Sequence, residues 1–508
     1  MLLKILVLIV FFGIMILVGV NARKKVNGVN DFVLGGRNVG PWVCAFSFGT
    51  SYFSAVVFIG YAGQFGWRYG IASTWIGIGN ALIGSMLAWV ILGRRTRVMT
   101  NYLNSKTMPD FFEKRYSSKA LKIAASAIAF IFLIPYTASV YNGLSKLFAI
   151  AFDIPYQVCV IVMAALTGVY VILGGYMASS MNDFIQGMIM LIGIVAVIAS
   201  VLSGQGGFTE AYRKLAQVEG DFPGTYSSFF GPDLPGLFGV FVLTSLGTWG
   251  LPQMVGKFYA IKDEKAIKTG TIVSTFFAFI IGGGSYFLGG FGRLFGSEGA
   301  SFLTKAADGT TTVAYDGIIP YMLQTSLNDI LIGVVVVLVL SASMSTLSAL
   351  VLTSSSTLTL DFLKDNIIKK MDQKKQIFIM RIMIVFFIVI SVVIAMNPPA
   401  FIAQLMGISW GALAGAFLAP FLYGLYWKKV TKAAVWASFI FGVGLTVSNL
   451  FLKFTNAINA GAWAMVGGLI IVPVVTLLTR VSNPNEIDTI FKCYEENVVV
   501  HKAQQLSN

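Results

Sequence analysis

Stretches of about 20 consecutive apolar residues recur about 13 times along this chain, and a helix of that length matches the hydrocarbon thickness of a bilayer. That leaves few folds open. Lipid offers no partner for backbone N–H and C=O groups, so a chain within it must close its hydrogen bonds inside helices or around a barrel. These runs are long and unbroken, the length of membrane helices. Of the 508 residues only 11% are charged, against roughly 25% in soluble chains. The expected fold is an all-α polytopic membrane protein.

Apolar runs set against polar breaks place the segments at about 2–20, 41–65, 70–93, 120–150, 155–177, 181–203, 236–260, 269–292, 327–360, 377–397, 400–427, 433–452 and 459–479. Lys and Arg set the orientation. With the N-terminus outside, the inner loops collect Arg23, Lys24 and Lys25; Arg94, Arg95 and Arg97; Lys262, Lys265 and Lys268; Lys369, Lys370, Lys374 and Lys375; and Lys428, Lys429 and Lys432. About 28 of the 36 basic residues then fall inside and about 8 outside. The net charge of +14 is therefore a topology signal, and nucleic acid is not an expected partner. The first segment reads as an uncleaved span rather than a signal peptide, because its basic cluster follows the apolar run. A short polar tail at 481–508 would be cytoplasmic. Outer loops without disulfide pairing or abundant glycosylation sites point to a plasma (inner) membrane.

Enzyme chemistry is not expected. The single histidine, His501, lies in the tail, and Cys44, Cys159 and Cys493 are far apart, which leaves no zinc or copper ligand set. The chain has no P-loop. No obligatory protein partner is evident; the expected partners are a small solute, an ion and the bilayer.

Two segments carry glycine and hydroxyl residues where a lipid-facing helix would carry aliphatics. They are Ala45-Phe46-Ser47-Phe48-Gly49-Thr50-Ser51-Tyr52-Phe53-Ser54 and Thr244-Ser245-Leu246-Gly247-Thr248-Trp249-Gly250-Leu251-Pro252. Such residues either let helices pack closely or mark helices broken around a cavity or ion. The two stretches open successive sets of five spans, 41–203 and 236–428, as in an inverted-repeat transporter. The leading helix 1–20 and two helices at 433–480 lie outside these sets. In the ninth span, residues 342, 345, 346 and 349 share one helical face of a hydroxyl-rich run. Hydroxyls and freed carbonyls are hard neutral ligands suited to an alkali cation, although hydroxyl-mediated packing gives the same pattern. Asp183 is the one carboxylate expected within the membrane body. It reads equally as a functional acid or as a helix N-terminal residue after a short turn.

These residues resemble the sodium/solute symporter family over about residues 30–440. The most specific pieces are Gly174-Gly175-Tyr176 leading to Asp183-Phe184-Ile185-Gln186, Met344-Ser345-Thr346-Leu347-Ser348 leading to Thr359-Leu360-Asp361, Pro252-Gln253 through Lys257-Phe258, and Tyr423-Gly424-Leu425-Tyr426-Trp427-Lys428-Lys429. The Ser-Thr-Leu-Ser stretch and Asn397-Pro398 look most like the sodium/proline branch. The resemblance implies a leucine-transporter-type core of two inverted five-helix repeats, with sodium as the co-transported ion. It implies a sodium site made by Thr50 and Phe53 carbonyls, the Ala342 carbonyl, and the Ser345 and Thr346 hydroxyls. Asp183 and Ser348 would form a second ion or release site. Ala349 stands where two-sodium relatives carry serine, so one sodium per solute is expected. The solute would meet Ser51, Tyr52, Ser54, Tyr136, Thr248, Trp249 and Gln253. Tyr52 replaces an aspartate of the proline branch, and Thr244 and Thr248 replace two of its aromatics. The solute is therefore an amino acid, carboxylate or vitamin, with proline included but not favoured. A proton-coupled carrier, or a channel or solute sensor on the same scaffold, are the alternatives.

Overall fold

The structure is a computed structural model and describes residues 2–23, 28–297, 299–305, 311–368, 371–480 and 484–494. Lys24, Lys25, Lys369, Lys370, His501 and most of the 481–508 tail lie outside the described residues. The principal helices are α1 (Leu2–Arg23), α2 (Pro41–Tyr52), α3 (Lys119–Phe152), α4 (Tyr156–Gly204), α5 (Leu234–Gly247), α6 (Pro252–Ala260), α7 (Glu264–Ala278), α8 (Tyr315–Ser326), α9 (Asp329–Thr357), α10 (Gln373–Met396), α11 (Ile402–Tyr426), α12 (Lys432–Leu452), α13 (Ala457–Leu478) and α14 (Pro484–Phe491).

Ten helices among the described residues are long and apolar enough to cross a membrane, beside two shorter apolar ones, Leu8–Asn21 and Tyr156–Val169. One of the ten, Val56–Tyr102, has 47 residues. That is far more than the roughly 20 that cross a bilayer, and it turns at Gly70 (φ 60, ψ −140), so it supplies two passes. Counting that helix twice and adding the two shorter ones gives thirteen apolar helical stretches in the order the sequence lays out, of which the ten above are long and apolar enough to cross a membrane.

Helix starts follow local chemistry. Asp233, Asp263, Asn328, Asp372, Thr431 and Asn456 each accept a backbone N–H at a helix N-terminus, pairing a donor that the helix cannot pair itself. Prolines inside helices are handled likewise. Pro420 has no N–H for the Ala416 carbonyl, which accepts instead from the Ser438 hydroxyl at 2.9 Å. Behind Pro473, the Leu469 carbonyl accepts from the Tyr423 hydroxyl at 3.0 Å. In lipid such substitutes are obligatory.

The inner helices are α9 and α11: the apolar windows of Ile330–Leu363 and Ile402–Tyr426 are 78% and 89% buried, against 28% for α10. Ile192, Phe276, Val393 and Leu478 project outward as a lipid-facing surface. α4 packs along α1, α2 and α9, which brings its middle to the centre of the bundle.

Four features depart from the sequence reading. α4 runs unbroken past Ser179 and Ser180, and its kink lies at Gly175 (φ 57, ψ −148). Asp183 therefore sits two turns inside a helix, and the N-terminal reading of it is corrected. Glycine takes the kink because it has no Cβ; one there would lie 2.7 Å from Phe32. Second, Asp183 is not alone. α9 continues as a π-helical turn, Leu358–Leu363, and buries Asp361 at its end. Lys122 lies 3.8 Å from it and 2.8 Å from Glu113, and the Thr107 hydroxyl donates to it at 2.6 Å, so the charge is paired where the bundle ends. Third, a two-stranded hairpin, β1 (Leu303–Lys305) and β2 (Thr311–Val313), interrupts the all-helical pattern in the loop before α8. Finally, the tail begins as α14, docked by Phe491 and Cys493 and by a 2.8 Å Lys428–Asp488 pair.

Candidate ion and solute site

Both glycine- and hydroxyl-rich stretches are broken helices, and they meet. α2 ends at Tyr52; Phe53 is extended (φ −106, ψ 102), and the helix restarts at Ala55. Its amides turn elsewhere: Val56 N–H donates to Ser54 Oγ at 3.2 Å and Ala55 N–H to Ser343 Oγ at 3.3 Å. The seventh segment breaks between α5 and α6, where Leu251 is extended and Pro252 opens the second half. The Tyr52 hydroxyl crosses between the two breaks and donates to the Thr244 carbonyl at 2.6 Å.

α9 lies against the first break. The Thr346 hydroxyl is 3.2 Å from the Thr50 carbonyl, 3.4 Å from the Ser51 carbonyl and 3.2 Å from the Ala342 carbonyl. Ser345 donates to Thr50 Oγ1 at 2.6 Å. One hydroxyl proton cannot serve three carbonyls; a cation among them would satisfy all three at once. The geometry thus gathers Thr50, Ala342, Ser345 and Thr346 and adds Ser51, whereas no hydrogen bond among the described residues ties the Phe53 carbonyl to the cluster.

Of the expected solute residues, Ser51, Tyr52, Tyr136 and Thr248 surround the paired breaks. Tyr52 stacks on Phe53 (4.3 Å between centroids) and on Trp410 (6.2 Å), and Tyr136 meets Trp410 edge-on at 5.9 Å. The Ser51 hydroxyl is buried with no protein partner, and the buried Tyr136 hydroxyl and Trp410 indole N–H face each other with no hydrogen bond to any other group, an arrangement a polar ligand would complete. Thr248 donates to the Gly84 carbonyl at 2.9 Å. Ser54 and Trp249 also hold bonds within the protein: Ser54 Oγ accepts from Val56 N–H at the helix restart, and the Trp249 indole donates to the Ile83 carbonyl at 3.0 Å. Gln253 lies apart, in a cavity of about 50 Å³ lined also by Tyr176, Ser179 and Lys257 and reaching Lys106 and Thr107 at the basic end of the bundle. That volume holds a few waters.

Asp183 is fully buried. It accepts from the Ser47 hydroxyl and lies 3.7 Å from Lys257 Nζ. Ser348 is bonded one turn away, 2.6 Å from Ser179 Oγ and 2.8 Å from the Ser345 carbonyl, so the structure does not join Ser348 to the carboxylate. Sequence reasoning missed Trp410, Lys257 and Ser47. A tryptophan and a lysine inside apolar helices were the available signals.

Two broken helices face to face, with carbonyl and hydroxyl oxygens gathered at their gaps, define the core of a secondary transporter of the leucine-transporter type. Solved structures agree in fold. A sodium-coupled sialic acid symporter, substrate-bound and outward-open, superposes with a TM-score of 0.78 at 19% identity, covering 94% of this chain and 97% of that one. A nucleobase-cation-symport-1 family transporter in a closed conformation gives 0.55 at 14% identity, with 90% and 98% covered. The sodium:solute symporter family model matches residues 32–442, and the chain belongs to that family. Relatives include the osmoregulated proline transporter OpuE of Bacillus subtilis, 28% identical over 91% of each chain. A sodium/proline symporter of Staphylococcus aureus is 30% identical, over 92% of this chain and 90% of the relative.

Proposed function

We propose that this protein imports a small zwitterionic solute of the amino-acid class together with one sodium ion, by alternating access. Proline is the first candidate, since the relatives at 28% and 30% identity are named for it. The observation that carries the reading is the Thr346 hydroxyl held among the Thr50, Ser51 and Ala342 carbonyls at the break in α2. Sodium there would bridge α2 to α9 and hold the broken helix in the shape that presents Ser51 and Tyr52 to the solute. Tyr52, Tyr136 and Trp410 offer aromatic faces, and Ser51, Tyr136 and Trp410 offer polar tips, with no fixed charge among them. That suits a compact solute whose own charges cancel. Each ligand then favours the state it binds better, and the coupling is reciprocal.

In this reading 41–203 and 236–428 are the two inverted repeats, 1–20 leads, 433–480 adds two helices, and the basic end faces the cytoplasm of a plasma (inner) membrane with the N-terminus outside. Uptake of radiolabelled proline into proteoliposomes, with an inward gradient of sodium chloride or choline chloride, tests it. Uptake that requires sodium is expected. Uptake driven by an imposed pH gradient without sodium would make this a proton-coupled carrier, and sodium-driven uptake of another zwitterion but not proline would change the solute alone.

A further inference from the structure

The ion and solute sites leave Lys257 without a role, yet it is 3% exposed at the centre of the bundle. Its Nζ lies 3.7 Å from Asp183 Oδ2, 2.6 Å from Ser47 Oγ and 5.2 Å from the centre of the Tyr176 ring. Ser47 accepts from the ammonium and donates to the carboxylate, and Ser180 Oγ stands 3.5 Å from Ser47. Ser345, on α9, faces the same carboxylate while donating to Thr50. Two cation positions therefore adjoin and share Ser345. One is framed by the α2 break and α9; the other is filled by an ammonium of the chain itself.

A carboxylate this deep requires a counter-cation. One carboxylate with the Ser47 and Ser345 hydroxyls against it, and Ser180 beside Ser47, is an oxygen set that an alkali cation would accept. The ammonium has three donors and no lone pair, and it reaches the carboxylate from α6, which restarts at Pro252 directly after the break.

We propose that Lys257 is a tethered cation that neutralises Asp183 in place of a second sodium ion and so fixes the coupling at one sodium per solute. This rests on the reading of Thr50, Ser345 and Thr346 as the transported-ion site. Because Lys257 belongs to a half-helix adjoining the solute break, movement of that half-helix would also move the charge that holds Asp183.

The test counts radiolabelled sodium bound to purified protein at saturation, for the wild type, Lys257→Gln, Lys257→Met/Asp183→Asn and Ser345→Ala/Thr346→Ala. One ion is expected for the wild type, two for Lys257→Gln, one for Lys257→Met/Asp183→Asn, and none for Ser345→Ala/Thr346→Ala. Lys257→Gln should also be recovered folded in sodium chloride more readily than in choline chloride, since sodium would replace the lost ammonium. A single ion in Lys257→Gln overturns the proposal. So does a Lys257→Gln protein that folds in neither salt while Lys257→Met/Asp183→Asn folds, because sodium then cannot stand in for the ammonium. A wild type that binds no sodium overturns the ion-site reading itself, a different failure from a wild type and a Lys257→Gln protein that each bind one.

Discussion

At the scale of single residues, the ion cluster makes a prediction that needs no solute. A ligand that binds only the folded protein stabilises it by RT ln(1 + [L]/Kd), about 2.7 kcal/mol at 100 times Kd. Sodium chloride should raise the thermal midpoint relative to choline chloride, and Ser345→Ala/Thr346→Ala, which removes two of the hydroxyls beside Thr50, should abolish the rise. An unchanged rise in that variant would remove these hydroxyls from the ion site. Trp410 separates the two sites. Its ring meets both Tyr52 and Tyr136, and no hydrogen bond among the described residues joins it to the ion cluster. Trp410→Leu is therefore expected to raise the KM for proline about tenfold, within the range that aromatic contacts and their buried area supply, and to leave the sodium-dependent thermal shift intact. Equal loss of both responses would place Trp410 in the scaffold instead. The hydroxyl face of α9 was legible in sequence because four positions at helical spacing lie on one element. Trp410 and Lys257 were not, because their meaning comes from partners on other helices that spacing within one helix cannot bring together.

At the scale of elements, the kink in α4 decides where Asp183 points. Gly175 holds φ 57 and ψ −148, and a Cβ there would stand 2.7 Å from the Phe32 ring and 2.8 Å from the Phe32 carbonyl oxygen. Gly175→Ala should cost about 1–3 kcal/mol in backbone strain alone, read as a lower thermal midpoint in detergent. Gly168→Ala, on the same helix with 3.4 Å to Ile388 Cδ1, should leave the midpoint nearly unchanged. Equal effects would mean that α4 relaxes around the kink. The sequence carried the existence of this boundary but misplaced it, since the break between the expected spans 155–177 and 181–203 falls at Ser179-Ser180 and not at Gly175. Only packing against Phe32 selects the glycine. Similarly, the π-helical turn that draws Asp361 into the protein follows from its pairing with Lys122 and Thr107, partners on elements more than 200 residues earlier, as the 254-residue separation from Thr107 shows.

At the scale of the whole molecule, the two ends of the bundle differ. At the basic end, the cavity beside Gln253 and Lys257 reaches Lys106 and Thr107. At the opposite end, Asp316 of α8 takes a 2.8 Å ion pair from Lys146 of α3 and lies 3.4 Å from the Ile402 amide that opens α11. In the alternating-access reading, the Lys146–Asp316 pair would hold one end while the cavity reaches the other, and the coupling can be read from how far the protein concentrates solute. One charge moving through 100 mV yields about 2.3 kcal/mol and a tenfold sodium gradient about 1.4 kcal/mol, so one sodium could hold a neutral solute several hundred-fold concentrated. With the potential clamped at zero the limits separate cleanly. A tenfold sodium gradient should then hold proline about tenfold concentrated if one sodium moves per solute, and about a hundredfold if two do. Static-head accumulation in proteoliposomes with a potassium-clamped potential measures this ratio. A limit near tenfold is expected; one near a hundredfold would overturn single-sodium coupling. Equilibration without accumulation would mean that solute movement is not coupled to sodium, the outcome for a channel or an uncoupled carrier.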